Sequence, residues 1–173
     1  MPLATIAADA GVGVATLYRS YPSREALLEA LTHRSFRLVL DAAHRAADSD
    51  DTAIDSLRGF IDQTIEHGAD LVLPMHGGPV LLDQETIALR TAVRDTLEQV
   101  LGRGRQDGTI RPDLTALDII VFGALLAQPL PHAPDWKLSA RRLADIYFDG
   151  LAAAAMSALP KRNLAARKGR RSP

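Results

Sequence analysis

The sequence contains no cysteine. That absence removes disulfides, thiolate catalysis, CxxC redox chemistry and cysteine-ligated zinc together, and it leaves only His, Asp and Glu as metal ligands. Aromatic residues make up 5% of the chain, with one tryptophan, and β-branched runs are scarce. No apolar run approaches the roughly 20 residues needed to span a bilayer. The N-terminus, MPLATIAADAG, lacks the basic segment and apolar stretch of a secretion signal. A cytoplasmic protein with no membrane association is therefore expected. What is present is a chain of 173 residues, 47% hydrophobic and 24% charged, the composition of one ordinary folded domain or two small ones sharing a core. A chain of this length buries enough surface to need no structural metal.

The formal charge of -1 hides an asymmetry. Residues 161–173 carry Lys161, Arg162, Arg167, Lys168, Arg170 and Arg171 and no acid, so the rest of the chain is acidic. Such a tail either binds nucleic acid or stays solvated, and residues 160–173 are expected to be disordered.

Alanine and leucine dominate, and the apolar residues recur at three- and four-residue spacing, which predicts an all-α fold. A first short helix is expected from Pro2 to Gly11, and a second over Val14–Ser20, stopping before Pro22. Ser23 caps a longer helix to about Ala47, and Asp51 or Thr52 caps the next, to about His67. The stretch LVLPMHGGP breaks the helical pattern. A long helix follows over residues 83–108, weakened by Gly102 and Gly104. Thr115 and Asp118 have the spacing of a capping box before the apolar DIIVFGALLA. The last helix is expected over residues 138–159, with Leu143, Ile146, Tyr147, Gly150, Leu151 and Ala154 as its stripe. These last two helices are apolar on more than one face, which predicts a homodimer.

Residues 6–31, IAADAGVGVATLYRSYPSREALLEAL, hold two short helices joined by a glycine-containing turn, the proportions of a helix-turn-helix. Helical hairpins of this kind are common outside DNA-binding proteins, so spacing alone is weak. The residue choices are more specific. Ile6, Ala7, Ala10, Gly11, Val12, Thr16, Leu17, Tyr18, Arg24 and Leu27 match an IA..AGV...TLY..F..[KR]..L pattern, with Tyr21 in the Phe position. In this the segment resembles the N-terminal domain of TetR/AcrR transcriptional repressors. Ile6, Ala10, Val12 and Leu17 are expected to pack the two helices together. Gly13, Val14, Ala15 and Thr16 are expected at the recognition-helix end that meets base edges, with Tyr18, Tyr21 and Arg24 on phosphates. Family members carry a further helix before this pattern. Its absence here, with Arg19, Arg24 and Arg34 balanced by Asp9, Glu25 and Glu29, implies either a start codon assigned too late or poor DNA binding.

The histidines His33, His44, His67, His76 and His132 form no HxxxH or HExxH pair, and no metal site or cofactor is expected. No nucleophile elbow, Walker loop or dinucleotide fingerprint occurs, so enzymatic activity is not expected. The break after His67 can open a pocket for an apolar ligand, with Phe60, Met75, Phe122 and Trp136 as candidate lining residues. The resemblance implies a helix-turn-helix DNA-binding domain over residues 1–46 and a helical effector-binding and dimerisation domain over 47–159. Such a protein binds a palindromic operator on double-stranded DNA as a homodimer and responds to a small-molecule effector. The alternative is a dimeric ligand-binding helical module that has lost DNA binding.

Overall fold

A computed structural model of the chain describes residues 2–129 and 133–155. Local side-chain capping starts four of its helices. The Ser23 hydroxyl accepts from the Ala26 amide at 3.1 Å and opens α3 (Arg24–Asp48). Thr52 accepts from Asp55 N–H at 3.2 Å and opens α4 (Ala53–Glu66). Asp83 accepts from Thr86 N–H at 2.9 Å and opens α5 (Gln84–Gln106). At α6 (Ala116–Ala127) Thr115 and Asp118 form a reciprocal box, with the Thr115 amide donating to Asp118 at 2.9 Å. Each cap satisfies a backbone donor that the helix itself leaves without a partner.

Two short helices precede these, α1 (Leu3–Asp9) and α2 (Val14–Ser20), and α7 (Trp136–Ala155) follows them. Between α4 and α5 the LVLPMHGGP segment and its approach form two single 3-10 turns, Gly68–Asp70 and Pro74–His76. Every described helix is thus in the order the sequence predicts. Pro2 stands at the N-cap of α1 rather than inside it. The expected end of the last helix near residue 159, the tail over 160–173 and His132 lie outside the described residues.

Helix α4 is the centre of the larger body, packing on α3, α5, α6 and α7. Its Leu57, Phe60, Ile61 and Ile65 are buried in one cluster with Leu97, Val100 and Leu101 of α5, Ile119 of α6 and Phe148 of α7. Burying side chains of this size stabilises a fold by about 1.5–3 kcal/mol each. A charged seam runs along α4 and α7, in which Arg58 reaches Asp145 and Asp149, and Lys137 and Arg141 reach Glu66. These pairs are partly exposed, so each contributes about 0–1 kcal/mol and fixes register more than stability.

The stripe on α7 divides in a way periodicity did not show. Leu151 is buried in the chain's own core. Leu143 and Ile146 are exposed instead, as are Leu117 and Leu125 of α6.

Gly68 shows how closely the break seats against α6. A Cβ there would lie 2.0 Å from the carbonyl oxygen of Ala127, a backbone atom that cannot swing away. Gly68→Ala is expected to destabilise the protein by about 1–3 kcal/mol, the usual range for overpacking. Urea denaturation measures this, and an unchanged midpoint would show that the break is free to move off α6.

Candidate nucleic-acid interface and ligand cavity

The head begins with a helix that ends on a glycine. Val12 N–H bonds Ala7 C=O at 3.0 Å and Gly11 N–H bonds Ala8 C=O at 3.1 Å, a Schellman arrangement with Gly11 at φ 66°. Only glycine adopts that conformation without strain, so Gly11 sets the direction in which α2 leaves the turn. Gly13 then caps α2 through its carbonyl, which accepts from Thr16 N–H at 2.9 Å and Leu17 N–H at 3.1 Å.

Helix α2 has no buried residue. Val14, Ala15, Thr16 and Tyr18 are exposed along it, and Gly13 is exposed at its start. Tyr21 is the half-buried C-cap of α2, and Arg24 is exposed in the first turn of α3. The seven residues expected at a DNA interface therefore fall on one short helix, its two caps and the first turn of α3.

The expected packing between the two short helices is only partly realised. Ile6 and Leu17 are half-buried, whereas Ala10 and Val12 are exposed, because they flank the left-handed Gly11 where the chain turns outward. The buried positions of α1 are Leu3 and Ala7.

A cavity of about 440 Å³ lies among α3, α4, the break, α5 and α6. Of the four residues expected to line a pocket, Phe60 does so; Met75, Phe122 and Trp136 do not. Met75 is exposed on the second 3-10 turn. Phe122 stacks on Tyr147 with ring centroids 4.0 Å apart, on the α7 side of α6. The Trp136 indole donates to the Leu126 carbonyl at 3.0 Å, tying the start of α7 to the end of α6. The lining residues the sequence did not reveal include Phe36 and Val39 from α3 and Ile87, Arg90 and Arg94 from α5. They are distant in sequence, and no local pattern relates them.

Helices α3 and α5 pack against one another along the bundle. A polar latch joins them there. His33 Nε2 lies 3.1 Å from Asp83 and 3.0 Å from the Thr86 hydroxyl, while its Nδ1 lies 3.5 Å from Glu85. The hydroxyl and amide of Thr86, together with His33, hold the Asp83 carboxyl down to about 2 from its ordinary 3.8. Glu29 is on the same side of α3, and its carboxylate, His33 and Asp83 have ligand atoms within 4.8 Å of one another. Asp83 already uses its oxygens to cap α5 and meet His33, which is a sufficient structural role for the group.

An all-α chain with a short exposed helix after a glycine turn, set on a larger bundle that holds a cavity, has the architecture of a two-domain helix-turn-helix regulator. Sequence comparison agrees. Residues 1–31 match the profile of bacterial regulatory proteins of the tetR family, and residues 53–153 match the SbtR-like transcriptional regulator C-terminal domain. The chain belongs to the TetR family. The HTH-type transcriptional repressor LfrR of Mycolicibacterium smegmatis is 31% identical over 111 residues, which cover 64% of this chain and 57% of that protein. The matched region thus spans less than two thirds of the length of LfrR. Among solved structures, the TetR family regulator PfmR from Thermus thermophilus superposes with a TM-score of 0.67 at 21% identity, over 87% of this chain and 89% of that one. This likeness is one of fold. The TetR regulator SCO0520 from Streptomyces coelicolor gives a TM-score of 0.58 at 28% identity, over 85% of each chain.

The lowered Asp83 pKa carries a pH dependence of definite sign. A carboxylate with a depressed folded-state pKa stabilises the fold above its unfolded value, and that contribution is lost as pH falls from 3.8 toward about 2. Asp83→Asn is expected to flatten this part of the acid limb of the stability curve. An acid limb identical to wild type would detach the latch from folding.

Proposed function

We propose that the chain is a DNA-binding transcriptional regulator, a ligand-responsive repressor that binds a palindromic operator as a homodimer in the cytoplasm. The observation that carries this reading is the exposure of α2, which buries no residue and has Val14, Ala15 and Thr16 at its N-terminal end. Side chains at that end of a recognition helix meet base edges in the major groove. The Thr16 hydroxyl can hydrogen-bond a base, and the methyl groups of Val14 and Ala15 suit a thymine methyl. Tyr18, Tyr21 and Arg24 are the phosphate-facing group, fixing register without reading sequence. The role is non-enzymatic and needs no cofactor. Among the described residues no helix is long and apolar enough to cross a membrane.

The neutral charge balance of residues 1–34 favours a second reading, a dimeric ligand-binding module without DNA binding. Salt titration separates the two. Arg24→Ala is expected to weaken binding about equally on all sequences and to reduce the salt slope by about one ion. Thr16→Val, which keeps the shape and removes the hydroxyl, is expected to alter preference among operator variants more than affinity for random DNA. Fluorescence anisotropy on promoter fragments measures both, and no binding by wild type would establish the second reading.

Dimerisation is supported by the apolar surface of α6 and α7. Leu117, Val121 and Leu125 recur every four residues on the exposed side of α6, and Leu143 and Ile146 are exposed on α7. A second copy of these helices covers such a face at little cost to either chain. Because Ile146 is 60% exposed, Ile146→Glu leaves the protomer core intact and is expected to yield a folded monomer. Light scattering after gel filtration reads the mass, and a wild-type monomer at micromolar concentration would rule out this dimer.

A further inference from the structure

The cavity between α3 and α5 has a one-sided chemistry. Its walls are mostly aliphatic and aromatic, including Phe36, Val39, Phe60 and Ile120, and no acidic residue lines it. The charged residues in its lining are Arg90 and Arg94, both from α5. They stand four residues apart and so project from one face of the helix. The two are not equivalent. Arg94 is bound to its neighbour Asp95, at 3.0 Å from Nε and 2.8 Å from the terminal nitrogen. Arg90 has no ion pair among the described residues, although they include many acids. A second cavity, beside Arg58 and Arg141, differs on this point, since both of its arginines are already neutralised by Asp62, Glu66, Asp145 and Asp149.

We propose that the first cavity takes an amphipathic carboxylate of the fatty-acid type, with the carboxylate on Arg90 and the hydrocarbon tail among Phe36, Val39, Phe60 and Ile120. This rests on the proposed ligand response of the chain and takes this cavity as its effector site. The volume is within the range of small-molecule pockets, and an apolar cavity with one placed cation selects a ligand that is apolar along its length and anionic at one end. The guanidinium fork suits a planar carboxylate in particular. The tail contacts Phe36 and Val39 on α3, the helix that follows the recognition helix directly, while the headgroup is held on α5. Occupancy therefore bears on the α3–α5 contact itself. A ligand that binds more tightly to one arrangement of these two helices shifts the population toward it.

Calorimetric titration of the full chain near neutral pH with three probes of equal tail length, decanoate, decan-1-ol and decylammonium, tests the assignment. Decanoate is expected to bind at least about tenfold more tightly than decylammonium, because the same site attracts one headgroup and repels the other. The exposed position of Arg90 makes Arg90→Gln safe for folding. It is expected to remove the preference for decanoate and leave decan-1-ol unchanged. If decan-1-ol and decylammonium bind and decanoate is not preferred, or if Arg90→Gln leaves decanoate affinity unaltered, the carboxylate assignment fails while the cavity remains an effector site. If none of the three binds, the effector reading of this cavity fails as well.

Discussion

The structure depends on one unbroken helix belonging to two parts at once. Helix α3 runs for 25 residues, about 37 Å, from Arg24 beside the recognition helix to Asp48 at the far end of the bundle. Its first turn is fixed by Ser23, and its last carbonyls are held from α5, where Arg103 donates to Ala46 and Ser49 at 3.0 Å each. Between these ends, His33 meets the cap of α5. Braced at both ends and at His33, such a helix is suited to act as a rod. A shift at its contact with α5 is then expected at the head as a displacement.

That constraint gives the cavity its importance. Phe36 and Val39 of α3 line it, as do several residues of α5, so the space lies where the two helices meet. Thr64, the polar α4 residue one turn after Phe60, bonds its own helix at 2.8 Å, and Arg94 is paired with Asp95, so Arg90 is the cation of the lining without an ion pair among the described residues. The cavity and the attachment of the head thus share helix α3, while the cationic side of the cavity comes from α5.

Much of this was legible in the sequence, for a physical reason. Caps are local: Ser23, Thr52 and Thr115 each bond an amide three residues on, so residue type and spacing are enough to place those helix starts, whereas Asp83, expected within its helix, caps α5 from just outside it. The glycine turn before α2 is local in the same sense, which is why the family resemblance could be read from residues 6–31. Long-range partners were not legible. Periodicity gives a helix its faces but does not say what covers them, so Leu151 and Ile146 share one stripe although one is core and the other surface. Phe122 and Trp136 looked like pocket residues for the same reason, while an aromatic stack with Tyr147 and a carbonyl of α6 had already engaged them. The His33–Asp83 contact spans 50 residues and leaves no local signature.

The absence of cysteine permits a direct test of α3 as the transmitting element. A single spin label at Arg19→Cys, on exposed α2, reports the distance between the two heads of a dimer by pulsed electron paramagnetic resonance. Motion of α3 as a rod predicts one distance distribution with promoter DNA bound and a distinct one when decanoate saturates the cavity. A distribution that stays the same in both conditions would contradict the transmission of cavity occupancy to the head.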